Sequence, residues 1–379
     1  MNIPKNVNNG PLSPAALEKA LAERLEKLLV GVGGLEGISI GRNPAEFDKA
    51  FDLRASFKTS EGAVVELWVD IRRDPRPSMF PYVNISREFE EKALKRARVR
   101  VFAAPYVSPR LAELCESHGW NWFDLSGNCH LRIPSLLHIH HTGNPPVHAA
   151  PKPKANLGTR EAARVVRALL SPVFVGMTWT QRSLQINCRP QVSLGLVNKM
   201  VRHLQEEKYL EMVPDGFRVA DPLKLLVAWR EAYRFDQHER LGFFTLLQGS
   251  KLHEALAWLG HDFENHVAYA AFSAAEFQAP HVRQPKTWLY VSGHLVEEFP
   301  AKLGVKKVES GENLVVLVPS DSGVFFTPEV PVTEDRLPCT NEVQTYVDLW
   351  HCGGRGQEAA EALLEQRIKP LWRDAGYQV

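Results

Sequence analysis

Residues 193–220 read SLGLVNKMVRHLQEEKYLEMVPDGFRVA, and this stretch decides the fold of the middle of the chain. Leu196, Val197, Met200 and Leu204 recur at helical spacing. They predict a helix from Ser193 to about Glu207 with those four residues turned inward. Ser193 suits the N-cap, where a hydroxyl accepts an N–H of the first turn. Tyr209 to Val213, the turn Pro214-Asp215-Gly216, and Phe217 to Ala220 then read as a hairpin. Upstream, Arg160 to Leu170 carries Ala163, Val166 and Leu170 on one helical face, and a short helix is expected over Thr180 to Ile186. Three helices followed by a hairpin is the order of a winged helix-turn-helix. In that fold the third helix enters the major groove and the hairpin lies along the backbone.

Polar residues fall where such a reading needs them. Ser193, Asn198, Lys199 and Arg202 lie off the apolar stripe, and Gln191 precedes the helix. Amides match adenine edges, so Gln191 and Asn198 are candidates for base reading. Arg189, Lys199, Arg202 and the hairpin's Arg218 suit phosphates. From Asn156 to Ala220 there are nine Lys/Arg against five Asp/Glu, in a chain of formal net charge +1. The charge is thus local, as an electrostatic footprint should be. The competing reading is a helical domain with an ordinary solvated basic face, or a winged helix that binds proteins.

The runs GTREAARVVRALL (158–170) and VSLGLVNKMVRHLQEEKYLEMVPDGFRVADPLKLLVAWREAYRF (192–235) resemble the winged helix of AbiEi-type transcriptional regulators. These are antitoxin components of type IV toxin–antitoxin systems. FSAAEFQAP (272–280) and the ending NEVQTYVDLWHCGGRGQEAAEALLEQRI (341–368) are similar to the C-terminal antitoxin domain of that group. The resemblance covers roughly Asn156 to Lys369. It implies a DNA-binding regulator that represses its own operon; the chain departs from the short two-domain antitoxins by its extra N-terminal domain. It also implies a toxin related to it genetically, not through a stable complex.

The N-terminal region starts with a helix: Ser13 as N-cap, Pro14 at N1, then Leu17, Leu21, Leu25 and Leu28. Strands are expected at Ala50 to Lys58, Val64 to Ile71, Val99 to Ala104, Trp120 to Leu125 and His130 to Ile133. A helix is expected from Ser108-Pro109 to His118. A helix and three strands bearing carboxylates resemble the PD-(D/E)xK nuclease core. Asp52, Glu66 and Asp70 are the candidate metal-holding carboxylates there. The tripeptide reads Asp70-Ile71-Arg72, with arginine where lysine is expected, and arginine does not readily give up its proton. An inactive nuclease-like scaffold is therefore favoured over an enzyme, and no catalytic residue is assigned. A metal-dependent nuclease targeted by the winged helix is the alternative. The segment Asp124 to Asn128 reads as a turn that Asp124 caps through its side chain. The run Lys92, Lys95, Arg96, Arg98, Arg100, preceded by Glu88, Glu90 and Glu91, reads as a solvated helix face.

Other motifs carry less. His138, His140, His141 and His148 invite a metal reading: His138 and His140 would share a strand face, and Cys129 and His130 are close in sequence. The stretch enters a proline-rich segment, and ligating histidines need fixed geometry, so neither metal nor cofactor is assigned. No G-x-S-x-G, G-x-G-x-x-G or G-x-x-x-x-G-K-[ST] occurs. Gly353-Gly354-Arg355-Gly356 reads as a turn between two helices. From Ala301 to Val379 there are eight Lys/Arg against twelve Asp/Glu, which suits a solvated acidic surface or a partner surface.

Composition frames these readings. Of 379 residues, 44% are hydrophobic and 23% charged, which excludes a disordered chain or a disulfide miniprotein. Five cysteines without a C-x-x-C pair fit a reducing compartment. The N-terminal MNIPKNVNNGPLSP lacks an apolar signal core, and no apolar run approaches the roughly 18 residues of a membrane span. A cytoplasmic protein without membrane partners is expected. The sequence predicts an α/β (α+β) multidomain protein: a nuclease-like α/β domain over 1–141, a linker over 142–155, a winged helix-turn-helix over 156–235 and a C-terminal α/β domain over 236–379. Its expected partner is double-stranded operator DNA, bound as a homodimer.

Overall fold

The computed structural model describes residues 12–42, 51–60, 62–77, 96–133, 137–148, 155–263, 266–326 and 337–379. It is a mixed α/β protein in two compact units, 1–153 and 154–379. No helix among the described residues is long and apolar enough to cross a membrane.

The first unit is a sheet with a helix on each face. Its seven strands lie in sequence order: β1 (Leu35–Arg42), β2 (Leu53–Thr59), β3 (Val64–Ile71), β4 (Arg96–Ala104), β5 (Asn121–Asp124), β6 (Cys129–Ile133) and β7 (Leu137–His141). The β3–β4 and β4–β5 pairs are parallel and the others antiparallel. Alternation along β3 sends Val65, Leu67 and Val69 to one side and Trp68 to the other. Helix α1 (Pro14–Val30) covers the first side with Leu17, Leu21, Leu25 and Leu29. Helix α2 (Pro109–Ser117) covers the second, against Trp68, Phe102 and Trp122. Both helices start as the sequence predicts, on a serine cap followed by proline.

Asp124 closes the β5–β6 turn as expected. It accepts the Asn128 backbone N–H at 2.9 Å and the Asn128 side-chain amide at 2.9 Å. Asn128 in turn holds Asn144 at both its N–H and its carbonyl, so the chain leaving β7 is fastened to that turn. The expected helix face at Arg98 and Arg100 is corrected: both lie on β4. Arg98 sits over the Trp68 ring and Arg100 over the Trp120 ring. Lys92, Lys95 and their preceding glutamates lie outside the described residues.

The second unit begins with α3 (Arg160–Leu170), α4 (Gln181–Asn187) and α5 (Leu194–Glu206). The hairpin β8 (Leu210–Val213) and β9 (Gly216–Val219) follows, then α6 (Pro222–Ala232). It continues with β10 (Glu239–Phe244), α7 (Ser250–Asp262), β11 (Val267–Tyr269), α8 (Ala271–Gln278), β12 (Thr287–Val291), α9 (Phe299–Leu303), β13 (Lys306–Lys307) and β14 (Leu314–Val318). The end is α10 (Glu342–His351), α11 (Gly356–Leu363) and α12 (Lys369–Asp374). Five strands form one sheet in the order β11-β12-β14-β10-β13, with β12 and β14 parallel. Trp288, Tyr290, Val315 and Leu317 face one core, and Leu289, Val291, Leu314 and Val316 the other. Both faces are covered, which is why these strands read as unbroken apolar runs. Val324 to Phe326 read as a short strand from their apolar run, but the structure makes a 3₁₀ turn over Ser322–Phe325. A Cβ at Gly323 would lie 2.6 Å from both Arg167 Nη1 and Asp321 Oδ2, so the chain bends tightly here.

One core runs from α3, α5, α6 and β9 to α8, α10, α11 and one face of the five-stranded sheet. Within it lies a polar cluster. Arg167 of α3, 1% exposed, donates through Nε at 3.0 Å and Nη2 at 2.8 Å to Gln344 Oε1 of α10. Gln344 Nε2 donates to Tyr233 and to Asp348 Oδ1, both at 2.8 Å. Tyr233 and Tyr290 also donate to Asp348 Oδ1, at 2.7 and 3.1 Å. The Ser320 N–H donates to His238 Nδ1 at 3.2 Å, which leaves His238 Nε2–H to donate to Tyr233, 2.8 Å away. Arg164 grips Asp321 from the same helix as Arg167.

Breaking a buried charged cluster on one side costs about 3–5 kcal/mol, because the partners stay buried without compensation. Arg167→Met is therefore expected to lower the unfolding free energy by about that much in urea titration; a change below about 1 kcal/mol would contradict the account. The cluster also predicts a pH dependence. Burial pushes the Asp348 carboxyl up to about 7, against the pull of its three hydrogen-bond donors and Arg167. An acid raised from 3.8 holds more protons folded than unfolded between the two values, so it costs stability as pH rises through that window. Wild type should lose stability relative to Asp348→Asn from about pH 4 to about 7, by on the order of a few kcal/mol, and the difference should then level off. His238, held neutral by burial down to about 4, acts in the opposite sense but in both proteins, so the difference isolates Asp348. A difference independent of pH would refute the assignment.

Candidate nucleic-acid interface

Two local devices set the outer face of the second unit. Trp179 and Phe217 exchange backbone hydrogen bonds, Trp179 N to Phe217 O at 2.7 Å and Phe217 N to Trp179 O at 2.9 Å. Residue 179 thus pairs with the hairpin just before α4 begins. Gly216 makes this approach possible: its φ is +149°, and a Cβ there would lie 2.0 Å from the Trp179 carbonyl. Helix α4 starts on a capping box in which Thr180 and Ser183 serve each other's backbone N–H.

Helix α5 is the second device. The Ser193 hydroxyl accepts the Leu196 N–H at 3.2 Å, as its sequence position predicts. Val197, Met200 and Leu204 are buried as expected, Val201 and His203 join them, and Leu196 is half-buried. Leu194, Gly195, Asn198, Lys199, Arg202 and Gln205 are left exposed. Gln181, Leu194, Gly195, Asn198, Lys199 and Arg202 line an open concavity of about 530 Å³. A neighbouring one of about 400 Å³ shares Gln181, Asn198 and Arg202 and extends to Met212, Gly216 and Phe217 of the hairpin. The two make one groove from the start of α4, along α5, to the hairpin.

The residues predicted from the sequence are not equivalent within it. Lys199 and Arg202 form no ion pair or hydrogen bond among the described residues, so their charge faces solvent. Asn198 Nδ2 donates to Gln181 Oε1 at 3.3 Å, which sets two side-chain amides side by side. Gln181 was not singled out by sequence; its place at the first position of α4, right after the Thr180 cap, is the signal that could have found it. Gln191 is exposed just before the cap. Ser193 spends its hydroxyl on the cap. Arg189 lies outside the groove lining and bends back to the carbonyls of Ile186 and Cys188. Arg218 pairs with Glu211 across the hairpin, so its charge is partly neutralised.

The local charge excess also needs correction. Arg167 is buried and Arg164 is bound to Asp321, so two of the nine cations counted over 156–220 point into the protein. Correspondingly, Asp321, Glu342 and Asp348 of the acidic C-terminal segment are buried and are not part of a solvated surface.

In the first unit the three candidate nuclease carboxylates are occupied by the chain itself. Asp52 accepts the Ile71 N–H at 2.7 Å. Glu66 is gripped by Arg54, with Arg98 Nε at 3.5 Å. Asp70 receives Arg72 at 2.8 and 2.9 Å, and burial pushes its carboxyl up despite that arginine.

Gly195 stands at the floor of the groove, where an added Cβ would meet nothing within 4 Å. Packing therefore does not require glycine. Gly195→Ala is expected to leave thermal stability unchanged or raise it by up to about 1 kcal/mol. Ser193→Ala removes a cap and should cost about 1 kcal/mol. Thermal and denaturant melts check both, and destabilisation by the alanine at 195 would show that the helix start is packed differently.

Residues 218–369 match a family model described as "Transcriptional regulator, AbiEi antitoxin, Type IV TA system". The match takes in the end of β9, α6 and the α/β segment through the start of α12, and it leaves out α3, α4, α5 and β8. No curated protein and no solved structure gives a significant match.

Proposed function

We propose that this protein is a DNA-binding transcriptional regulator of the AbiEi antitoxin kind, and that α5 reads the major groove while the β8–β9 hairpin follows the backbone as a wing. One observation carries the reading: Lys199 and Arg202 stand unpaired on the outer face of α5, in a groove that also holds two paired side-chain amides. Exposed cations suit phosphates and amides suit base edges. The helix order and the Trp179–Phe217 pairing support it, since they hold the hairpin beside the same groove. The family match on the adjoining segment supports the regulatory role. Within this reading Gln181 and Asn198 contact bases, and Gly195 lets the backbone of α5 approach a phosphate. Arg189 positions the loop before α5. Ser193 orients the helix, Gln191 lies at its mouth, and Arg218 reaches the backbone only by leaving Glu211. The protein acts as a dimer on a two-fold operator upstream of its own gene, with a toxin as its genetic counterpart. The N-terminal unit serves as a non-catalytic scaffold of nuclease-like topology, its carboxylates tied up by arginines and a backbone N–H.

Binding to DNA from its own upstream region, measured across a salt series, tests the proposal. Affinity should fall steeply with salt. Arg202→Ala and Lys199→Ala should each weaken binding at all sequences and reduce the salt slope by about one. Asn198→Ala should relax sequence preference, at a cost of about 1–3 kcal/mol at the affected base. Absence of binding at about 50 mM salt, a condition that strengthens phosphate contacts, would overturn the DNA-binding reading.

A further inference from the structure

Three histidines meet on the outer hairpin of the N-terminal sheet. The sequence expects His138 and His140 to share a strand face in a stretch that runs into a proline-rich segment. The structure puts both on β7, paired antiparallel with β6. His140 lies directly opposite His130, and His138 opposite Arg132. Residues opposite one another, and those two positions along, share a face of the sheet. His130, His138 and His140 therefore project from the same side. His141 belongs to the alternate set on β7 and His148 lies beyond the strand.

The distances are those of a ligand cluster. One ring nitrogen from each of the three histidines can be chosen so that all three lie within 4.8 Å of one another. The His130 ring centroid is 5.2 Å from that of His140 and 5.5 Å from that of His138, and the His138 and His140 rings are stacked at 6.4 Å. Three imidazole nitrogens about 2.0–2.1 Å from one tetrahedral ion stand about 3.4 Å apart. Small rotations of the two exposed rings, His138 and His140, close that difference.

The surroundings fix the third ring. His130 is half-buried, and its Nδ1 is shielded from solvent with no hydrogen-bond partner in the chain. Glu116 Oε1 of α2 faces it at 3.6 Å. Glu116 is itself held by the Trp122 indole N–H at 3.1 Å. A carboxylate facing the far nitrogen of a ligating histidine is the usual outer partner in zinc sites, where it orients the ring and raises its basicity. It leaves His130 Nε2 for the ion. Arg132, opposite His138, is exposed on the same face and would favour water or an anion as a fourth ligand.

We infer that His130, His138 and His140 bind a divalent transition-metal ion of the zinc class, with Glu116 positioning His130. Neutral imidazoles of this number suit zinc, cobalt, nickel or copper and do not suit magnesium or calcium. The ion would tie β7, the last strand of the sheet, to β6. This inference is independent of the DNA-binding reading, because none of its residues lies in the second unit.

The test uses the full chain, expressed without a histidine tag and stripped of metal with a chelator. Titration with zinc chloride should give one tight site per chain. Cobalt(II) should give the visible absorption of a four-coordinate site, displaced by zinc. The double variant His138→Ala/His140→Ala alters exposed side chains and should abolish both signals while the protein stays folded. Glu116→Gln should weaken zinc about 10–100-fold, as loss of an outer partner does. His141→Ala should bind as wild type. Binding of zinc with unchanged affinity by the double variant, or no saturable binding by the wild type, would overturn the site.

Discussion

The buried guanidinium of Arg167 is the constraint on which the second unit depends. A charge that cannot reach water needs hydrogen-bond and ionic partners inside the protein. Here α3 supplies the cation, α10 supplies Gln344 and Asp348, and the turn at Asp321 supplies a carboxylate that Arg164 secures. Tyr233, Tyr290 and His238 complete the chain of hydrogen bonds from the α6 end, the five-stranded sheet and the segment after it. Arg167, Gln344 and Asp348 are buried, so the first helix of the three-helix segment and α10 are tied to each other through groups that do not reach solvent. The apolar core around the cluster supplies the burial energy, and the cluster supplies the register.

The outer groove follows from that placement. With α3 fixed, α5 packs through Val197, Met200, Val201 and Leu204 and turns Asn198, Lys199 and Arg202 outward. The Trp179–Phe217 pairing then sets the hairpin beside it. The chain end returns to the same region: the Trp372 indole donates to the Leu170 carbonyl at 3.3 Å, and Tyr377 donates to the Val219 carbonyl at 2.9 Å. The segment matched to the antitoxin family and the segment carrying α5 are thus one packed body.

Much of this was legible in the residues. The serine caps before Pro14, Pro109 and Leu194, the apolar stripe of α5 and the Pro-Asp-Gly turn each carry a local cause, and those elements stand where they were predicted. Strands β1 and β10 were missed because each is broken by glycine; β1 is also largely exposed, so no alternating apolar pattern marks it. Charge counting misled for a different reason. The basic excess of 156–220 and the acidic excess of 301–379 partly cancel inside the protein, through Arg164 with Asp321 and Arg167 beside Asp348. A linear count cannot distinguish a footprint from two halves of one buried network. The histidine-rich stretch is visible in the sequence, but its geometry is not: His130 and His140 become neighbours only through strand register.

The central claim is that the α4–α5–hairpin groove is the surface that meets DNA. Hydrogen–deuterium exchange of the full chain, with and without a duplex from its own upstream region, tests it most directly. The account predicts slowed exchange at the start of α4, the first turns of α5 and the hairpin tip, with the first unit and the terminal helices unchanged. Protection confined to the first unit or to the C-terminal helices, with the groove unaltered, would contradict it.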